Sequence, residues 1–221
     1  MKYYPVNIDI RNKKCLVVGG GSVGARKALT LLKAGAATTI VSMEFSTEFK
    51  DIKAMGAILV EKEYEKDDLE NIFLVIGATD NARLNRKISC HAEKKGILCN
   101  IADLPGKSDF ILPSIIDRGD LMITISTSGK SPALAKKIRQ DLDGQFGREY
   151  GQFLVLMGAI RKRLLLQNHA PDEHRIIFKQ LIQSDLLQAI RNKDQIKADL
   201  ILEKLLGKNY TYENLVPGDA R

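Results

Sequence analysis

The chain has 221 residues, 44% of them hydrophobic and 28% charged, so it has the make-up of an ordinary globular protein, long enough for one full domain and a smaller appendage. No apolar run approaches the roughly 18 residues that a membrane span needs, and no membrane partner is expected. Lys and Arg (34) exceed Asp and Glu (27), giving a formal charge of +7 that suits an anionic partner; with 6% aromatics, no RNP-like segment and no zinc-finger spacing, nucleic acid is not that partner. Cys15, Cys90 and Cys99 form no C-x-x-C pair, so neither a disulfide framework nor a structural zinc site is expected. Their apolar surroundings read as three buried thiols. Met1 to Pro5 leads into alternating residues rather than an apolar signal core, so the expected location is cytoplasmic.

Between Lys14 and Ile101 short β-branched runs alternate with amphipathic stretches, the pattern of an α/β, Rossmann-type parallel sheet with helices on both faces. The strands are expected at 14–18, 38–42, 57–60, 72–78 and 97–101, and the helical stretches at 23–33, 47–55, 67–70 and 82–95. Gly35, Gly56 and Gly96 stand where helices should stop. After Leu104-Pro105-Gly106, residues 110–116 and 121–126 flank Asp117-Arg118-Gly119-Asp120 as a β-hairpin. Ser131 then caps, and Pro132 opens, a helix running to about Leu142. From Arg148 onward the periodicity is helical throughout, which predicts a small all-helical C-terminal domain.

Cys15-Leu16-Val17-Val18 runs directly into Gly19-Gly20-Gly21-Ser22-Val23-Gly24, a G-x-G-x-x-G between a strand and a helix. Such glycines let the chain turn sharply and bring its backbone close to a pyrophosphate, while the helix start offers free N–H groups to the charge. Gly19, Gly21, Ser22, Val23 and Gly24 are therefore candidate cofactor contacts. A Walker A loop is excluded here because no Lys-Ser or Lys-Thr follows Gly24, and at Gly129-Lys130-Ser131 because position 124 is Thr rather than Gly. The acid that contacts a ribose hydroxyl falls about 20 residues beyond the glycines, where this chain reads Ser42-Met43-Glu44. Glu44 comes slightly late and reads equally well as a solvated loop residue; the absence of Arg from that stretch favours NAD modestly over NADP. Ala78-Thr79-Asp80 ends the fourth strand, which turns its backbone and the Thr79 hydroxyl towards the nicotinamide half of the cofactor, while Asp80 is also placed to cap the next helix. His91, His169 and His174 form no metal cluster, and no resident metal is expected.

The strings Val17-Val18-Gly19-Gly20-Gly21-Ser22-Val23-Gly24-Ala25-Arg26-Lys27, Ala78-Thr79-Asp80, Cys99-Asn100-Ile101-Ala102-Asp103, Phe110-Ile111-Leu112-Pro113-Ser114-Ile115-Ile116-Asp117-Arg118 and Ser126-Thr127-Ser128-Gly129-Lys130-Ser131-Pro132-Ala133-Leu134-Ala135, in that order, resemble the precorrin-2 dehydrogenase and sirohydrochlorin ferrochelatase family. The resemblance runs from about Pro5 to Leu142, and the chain looks like the stand-alone form, without a methyltransferase module. It implies NAD-dependent oxidation of precorrin-2, a tetrapyrrole polycarboxylate, to sirohydrochlorin on the route to sirohaem. In bifunctional members ferrous or another divalent ion enters as a co-substrate, and the residues leave open whether that reaction belongs to this chain.

Asp103 matches the family's catalytic aspartate, and its place after the fifth strand agrees with where open α/β sheets put ligands; without the resemblance it also reads as the start of the Leu104-Pro105-Gly106 turn. Asn100 and the loop of Ser126, Thr127, Ser128, Gly129 and Lys130 are the expected substrate contacts, the loop as an anion nest at a helix start with Lys130 as charge partner. Thr127 stands where some fused members carry a phosphorylated serine. A homodimer built by the hairpin and its helix is expected, which divides the chain into an NAD-binding domain at 1–109, a dimerisation segment at 110–145 and a helical domain at 146–221. The rival of another class is a non-catalytic NAD-sensing or ligand-binding module, which requires the glycine turn but not Asp103.

Overall fold

A computed structural model describes residues 2–102, 104–166 and 171–216. The chain forms two compact units, Met1–Leu112 and Pro113–Arg221.

In the first unit five parallel strands, β1 (Lys14–Val18), β2 (Ala37–Ser42), β3 (Ile58–Glu61), β4 (Leu74–Gly77) and β5 (Leu98–Ile101), lie in the order β3-β2-β1-β4-β5. The helices α1 (Ser22–Lys33), α2 (Phe49–Ala54) and α3 (Ala82–Lys95) and a 3-10 turn at Lys66–Leu69 connect them. Alternation along β1 sends its side chains to two separate cores. Cys15 and Val17 pack with Ala25, Ala28, Leu31, Phe49 and Ile52 of α1 and α2, whereas Leu16 and Val18 pack with Ile88 and Ala92 of α3. Both faces of the sheet are thereby covered, which is why its strands read as unbroken apolar runs. α3 stops at Gly96, which takes a left-handed φ of +65°.

In the second unit β6 (Ser114–Arg118) and β7 (Leu121–Ile125) pair antiparallel and pack against α4 (Pro132–Asp143) and α5 (Glu149–Leu166). The first hairpin arm starts four residues later than expected. Phe110 packs against the core of the first unit, its carbonyl accepts a hydrogen bond from the Asn100 side chain, and Pro113 brings no N–H to a ladder. Ser131 caps α4 by accepting from the Leu134 N–H. Arg118 closes the hairpin onto the helix end, its Nε donating to the Phe146 carbonyl at 2.7 Å and its Nη2 to the Asp143 carboxylate at 2.9 Å. The helices α6 (Pro171–Gln183), α7 (Leu186–Arg191), α8 (Gln195–Leu206) and α9 (Tyr212–Leu215) join α5 around Leu156, Ile160, Leu181, Leu186 and Leu202. Among the described residues no helix is long and apolar enough to cross a membrane.

Candidate cofactor cleft

The carboxyl ends of all five parallel strands converge on a cleft of about 890 Å³, lined at the successive exits by Val18, Ser42, Lys62, Ala78 and Ala102. Convergence follows from the topology: β2 departs to one side of β1 and β4 to the other, leaving a crevice at the reversal.

The glycine turn divides into two kinds of position. Gly19 takes a φ of +124°, and a Cβ there would stand 2.4 Å from the Ala78 carbonyl oxygen. At Gly20 a Cβ would lie 1.9 Å from the Glu44 carbonyl oxygen, and at Gly24 2.1 Å from the Gly19 carbonyl oxygen. Those three are held bare by the chain's own backbone. Gly21 is different: nothing lies within 4 Å of the position its Cβ would take. It is the N-cap of α1, makes no side-chain cap hydrogen bond, and is followed by a first turn with no acidic residue. The N–H groups at the start of α1 therefore face the cleft with no capping side chain and no carboxylate in their own first turn, an arrangement that fits a pyrophosphate.

Backbone hydrogen bonds carry the exit of β2 to the same place. The Gly19 N–H donates to the Val41 carbonyl at 3.0 Å and the Ser46 N–H to the Gly20 carbonyl at 2.9 Å. Ser42, Met43 and Glu44 consequently line the cleft together with Gly19, Gly21, Ser22 and Val23, while Gly24 is buried beneath them. Across the crevice Ala78, Thr79 and Asp80 line the opposite wall. Asp80 does not cap α3: Asn81 does, its side chain accepting from the Arg83 and Leu84 N–H groups at 3.0 Å. The Thr79 hydroxyl is 2.8 Å from Asn85 Oδ1, and Asn85 Nδ2 donates to the Thr79 carbonyl at 2.8 Å.

The expected substrate residues do not gather in this lining. Asn100 is buried on β5 and uses its amide to hold the Phe110 carbonyl. Ser126 to Lys130 belong to the second unit, where the loop hydroxyls serve the loop itself: Ser126 accepts from the Ser128 N–H and Thr127 from the Ser131 N–H. The Lys130 side chain is exposed. Asp103 and His169 lie outside the described residues, and among the described residues no three His, Cys, Asp or Glu side chains could hold a metal.

Several lining residues escape the sequence reading. Lys62, Glu63 and Tyr64 follow β3 into the cleft, and Lys87 reaches it from α3. The Lys62 ammonium is held by Glu65 at 2.7 Å and Asp68 at 2.8 Å, and these hydrogen bonds, Asp68 first, raise its pKa. Burial pushes the Tyr64 phenol up to about 12, and its oxygen lies 3.3 Å from His91 Nδ1. Position immediately after a parallel strand was the available signal for Lys62 to Tyr64, because the rule that singles out Ser42 to Glu44 applies to every strand of the sheet. The three thiols are not all buried, as their apolar surroundings would have them. Cys15 and Cys99 are buried, and burial pushes both up to about 11, but Cys90 is exposed. The buried stripe of α3 runs through Asn85, Ile88, Ser89 and Ala92, and position 90 falls off it.

Two family models match the chain, one for NAD(P)-binding proteins over residues 6–114 and one for the central part of sirohaem biosynthesis proteins over residues 118–145. Siroheme synthase 2 of Yersinia enterocolitica is 37% identical over an alignment covering 100% of this chain and 48% of that protein. The chain is similar to sirohaem synthases along its whole length. A siroheme synthase of Escherichia coli O1:K1 is 36% identical, again over 100% of the chain and 50% of the relative, so the chain spans about half the length of the curated family members it matches. Among solved structures, SirC, a precorrin-2 dehydrogenase, superposes with a TM-score of 0.75 at 26% identity, covering 94% of this chain and 100% of that one. The similarity thus takes in the helices as well as the nucleotide unit, beyond the motifs that end at Leu142.

Proposed function

We propose that this chain is a cytoplasmic NAD-dependent precorrin-2 dehydrogenase, removing a hydride and a proton from the macrocycle to give sirohydrochlorin in sirohaem biosynthesis. The observation that carries the reading is the vacant Cβ position of Gly21 at the uncapped start of α1, opening on a cleft where all five strands end. Likeness to SirC over nearly the whole chain supports the substrate.

When bound, NAD supplies the hydride acceptor. Gly19 and Gly21 with the N–H groups of Ser22 and Val23 would hold its pyrophosphate, Gly24 would permit the turn's tight packing, Ser42, Met43 and Glu44 would flank its ribose, and the Ala78-Thr79-Asp80 wall would orient the remainder. The proton lost alongside the hydride needs a base. Asp103 is assigned that role: it follows Ala102, which lines the cleft, and a carboxylate within hydrogen-bond reach is a competent acceptor. Asn100 serves this site by anchoring the chain that leaves β5. Lys130 is assigned to a substrate carboxylate, alongside the hydroxyl-rich Ser126-Thr127-Ser128-Gly129 loop. The exposed side chains of Ile115 on β6, Met122 on β7 and Leu134 on α4 support a homodimer built through this segment.

The test is spectrophotometric. Purified chain with precorrin-2 and NAD should develop the sirohydrochlorin band, and a further shift on adding ferrous or cobaltous ion would report chelation. Absence of the band with NAD present contradicts the dehydrogenase reading, and NAD binding without turnover returns the chain to the class of non-catalytic sensors.

A further inference from the structure

Asn85 is a polar side chain in the buried stripe of α3, only 3% exposed, and the cofactor reading assigns it nothing. Its amide has one acceptor and one donor end, and each meets the same residue. The Thr79 carbonyl oxygen can only accept, so the end 2.8 Å from it must be the amide nitrogen, Nδ2. Oδ1 is thereby turned to the Thr79 hydroxyl at 2.8 Å and, being an acceptor, requires that hydroxyl to donate. The reciprocal pair fixes both the backbone of Thr79 and the direction of its hydroxyl proton.

The site is built to accommodate this pair. Gly77, at the end of β4, leaves the room: a Cβ there would lie 3.3 Å from Asn85 Oδ1 and 2.7 Å from Ile101 Cδ1. The wall that Thr79 belongs to is also the surface against which the glycine turn closes, since the Ala78 carbonyl is the group that forbids a side chain at Gly19. Thr79 itself lines the cleft, whereas Asn85 does not.

We propose that Asn85 is a positioning residue for the cofactor: it sets the wall opposite the glycine turn and takes the Thr79 hydroxyl proton, so that the Thr79 oxygen, which already accepts from the Asn81 N–H at 3.3 Å, has one lone pair and no proton to offer a ligand. A ligand group that meets Thr79 is then a donor, such as a ribose hydroxyl or a carboxamide NH₂, and not an oxyanion. The proposal rests on the cleft being the NAD site.

Calorimetric titration of NAD into the full chain tests it, with melting curves confirming that each variant is folded at the assay temperature. Asn85→Ala and Thr79→Val should each weaken NAD about tenfold, the scale of one lost hydrogen-bonded contact, and the double variant should be little worse than either alone because the two side chains act as one unit. Thr79→Ser, which keeps the hydroxyl, should remain within about threefold of the wild type. Asn85→Asp separates positioning from mere packing. Ionised, the carboxylate opposes the Thr79 carbonyl. Protonated, it reproduces the amide's donor and acceptor, and burial beside a carbonyl raises its pKa, so affinity should be poor at pH 8 and recover towards pH 5.5 while the wild type stays flat. Additive losses, Asn85→Ala or Thr79→Val within about threefold of wild type, or a flat Asn85→Asp profile would each overturn the assignment. If Asn85→Ala fails to fold, the Thr79 variants and Asn85→Asp decide by the same criteria. A wild-type chain that binds no NAD overturns the cofactor reading and this inference with it, whereas NAD binding indifferent to these variants overturns the inference alone.

Discussion

Two turns in this chain lead from a strand into a helix through glycine and serine, and their use of hydrogen bonds is opposite. At Gly19 to Gly24 the donors at the start of α1 have no side-chain cap. At Ser126 to Ser131 the loop satisfies itself: Thr127 Oγ1 both accepts from the Ser131 N–H and donates to the Ser131 carbonyl, and Ser131 Oγ accepts from the Leu134 N–H. An anion reaching the first turn meets donors that no side chain has taken. One reaching the second competes with hydroxyls already in place, which leaves the Lys130 charge as the stronger attraction. Composition alone therefore does not make an anion site; what matters is whether the donors are left over.

Substitutions can separate the two turns from each other and from the chemistry. The largest expected effect belongs to neither. Asp103→Asn keeps the shape but removes the basicity, so turnover should fall about 10² to 10⁴-fold with NAD affinity nearly intact. Steady-state turnover within about threefold of the parent would mean that the proton leaves by another route. At the second turn, Lys130→Ala should raise KM for the macrocycle about tenfold, as loss of one charge-assisted contact would, and leave calorimetric NAD affinity unchanged. Weakened NAD affinity in that variant would remove the distinction between the turns. Ser131→Ala should act on stability alone: loss of the cap costs about 1 kcal/mol, read as a shift of the denaturant midpoint at constant slope. A change in KM for the macrocycle without loss of stability would instead make Ser131 a ligand contact.

The nucleotide unit was legible because its signals are local and repeated. The residues 14–18 and 82–95 were located to the residue, since β1 is an unbroken apolar run and α3 ends on a glycine whose φ it requires. Strand β3 was displaced by one residue, as short strands beside glycines are. The sequence assigns the glycine turn, Ser42 to Glu44 and Ala78 to Asp80 to one site, and all of them but the buried Gly24 line one cleft. What escaped depends on three dimensions. Asn85 looks like a surface polar residue until the stripe Asn85, Ile88, Ser89, Ala92 is drawn on the helix, and nothing local says that Thr79 is its partner. Asn100, expected at the substrate, has its donor turned to Phe110, a pairing across 10 residues of irregular chain that no periodicity announces. The extent of Cys90's exposure was lost in the same way, by reading a helix as apolar without asking which face is covered.

The central claim is that the open turn is the cofactor site, and Gly21→Asp tests it most directly. Because no atom lies within 4 Å of the Gly21 Cβ position and its φ is −84°, an aspartate there should be tolerated by the fold while placing bulk and like charge in the pyrophosphate's path. Calorimetry on the folded variant should show NAD affinity reduced at least about 100-fold, the scale of several kcal/mol of like-charge juxtaposition. An affinity within about threefold of the wild type would show that the cofactor is held somewhere other than this turn.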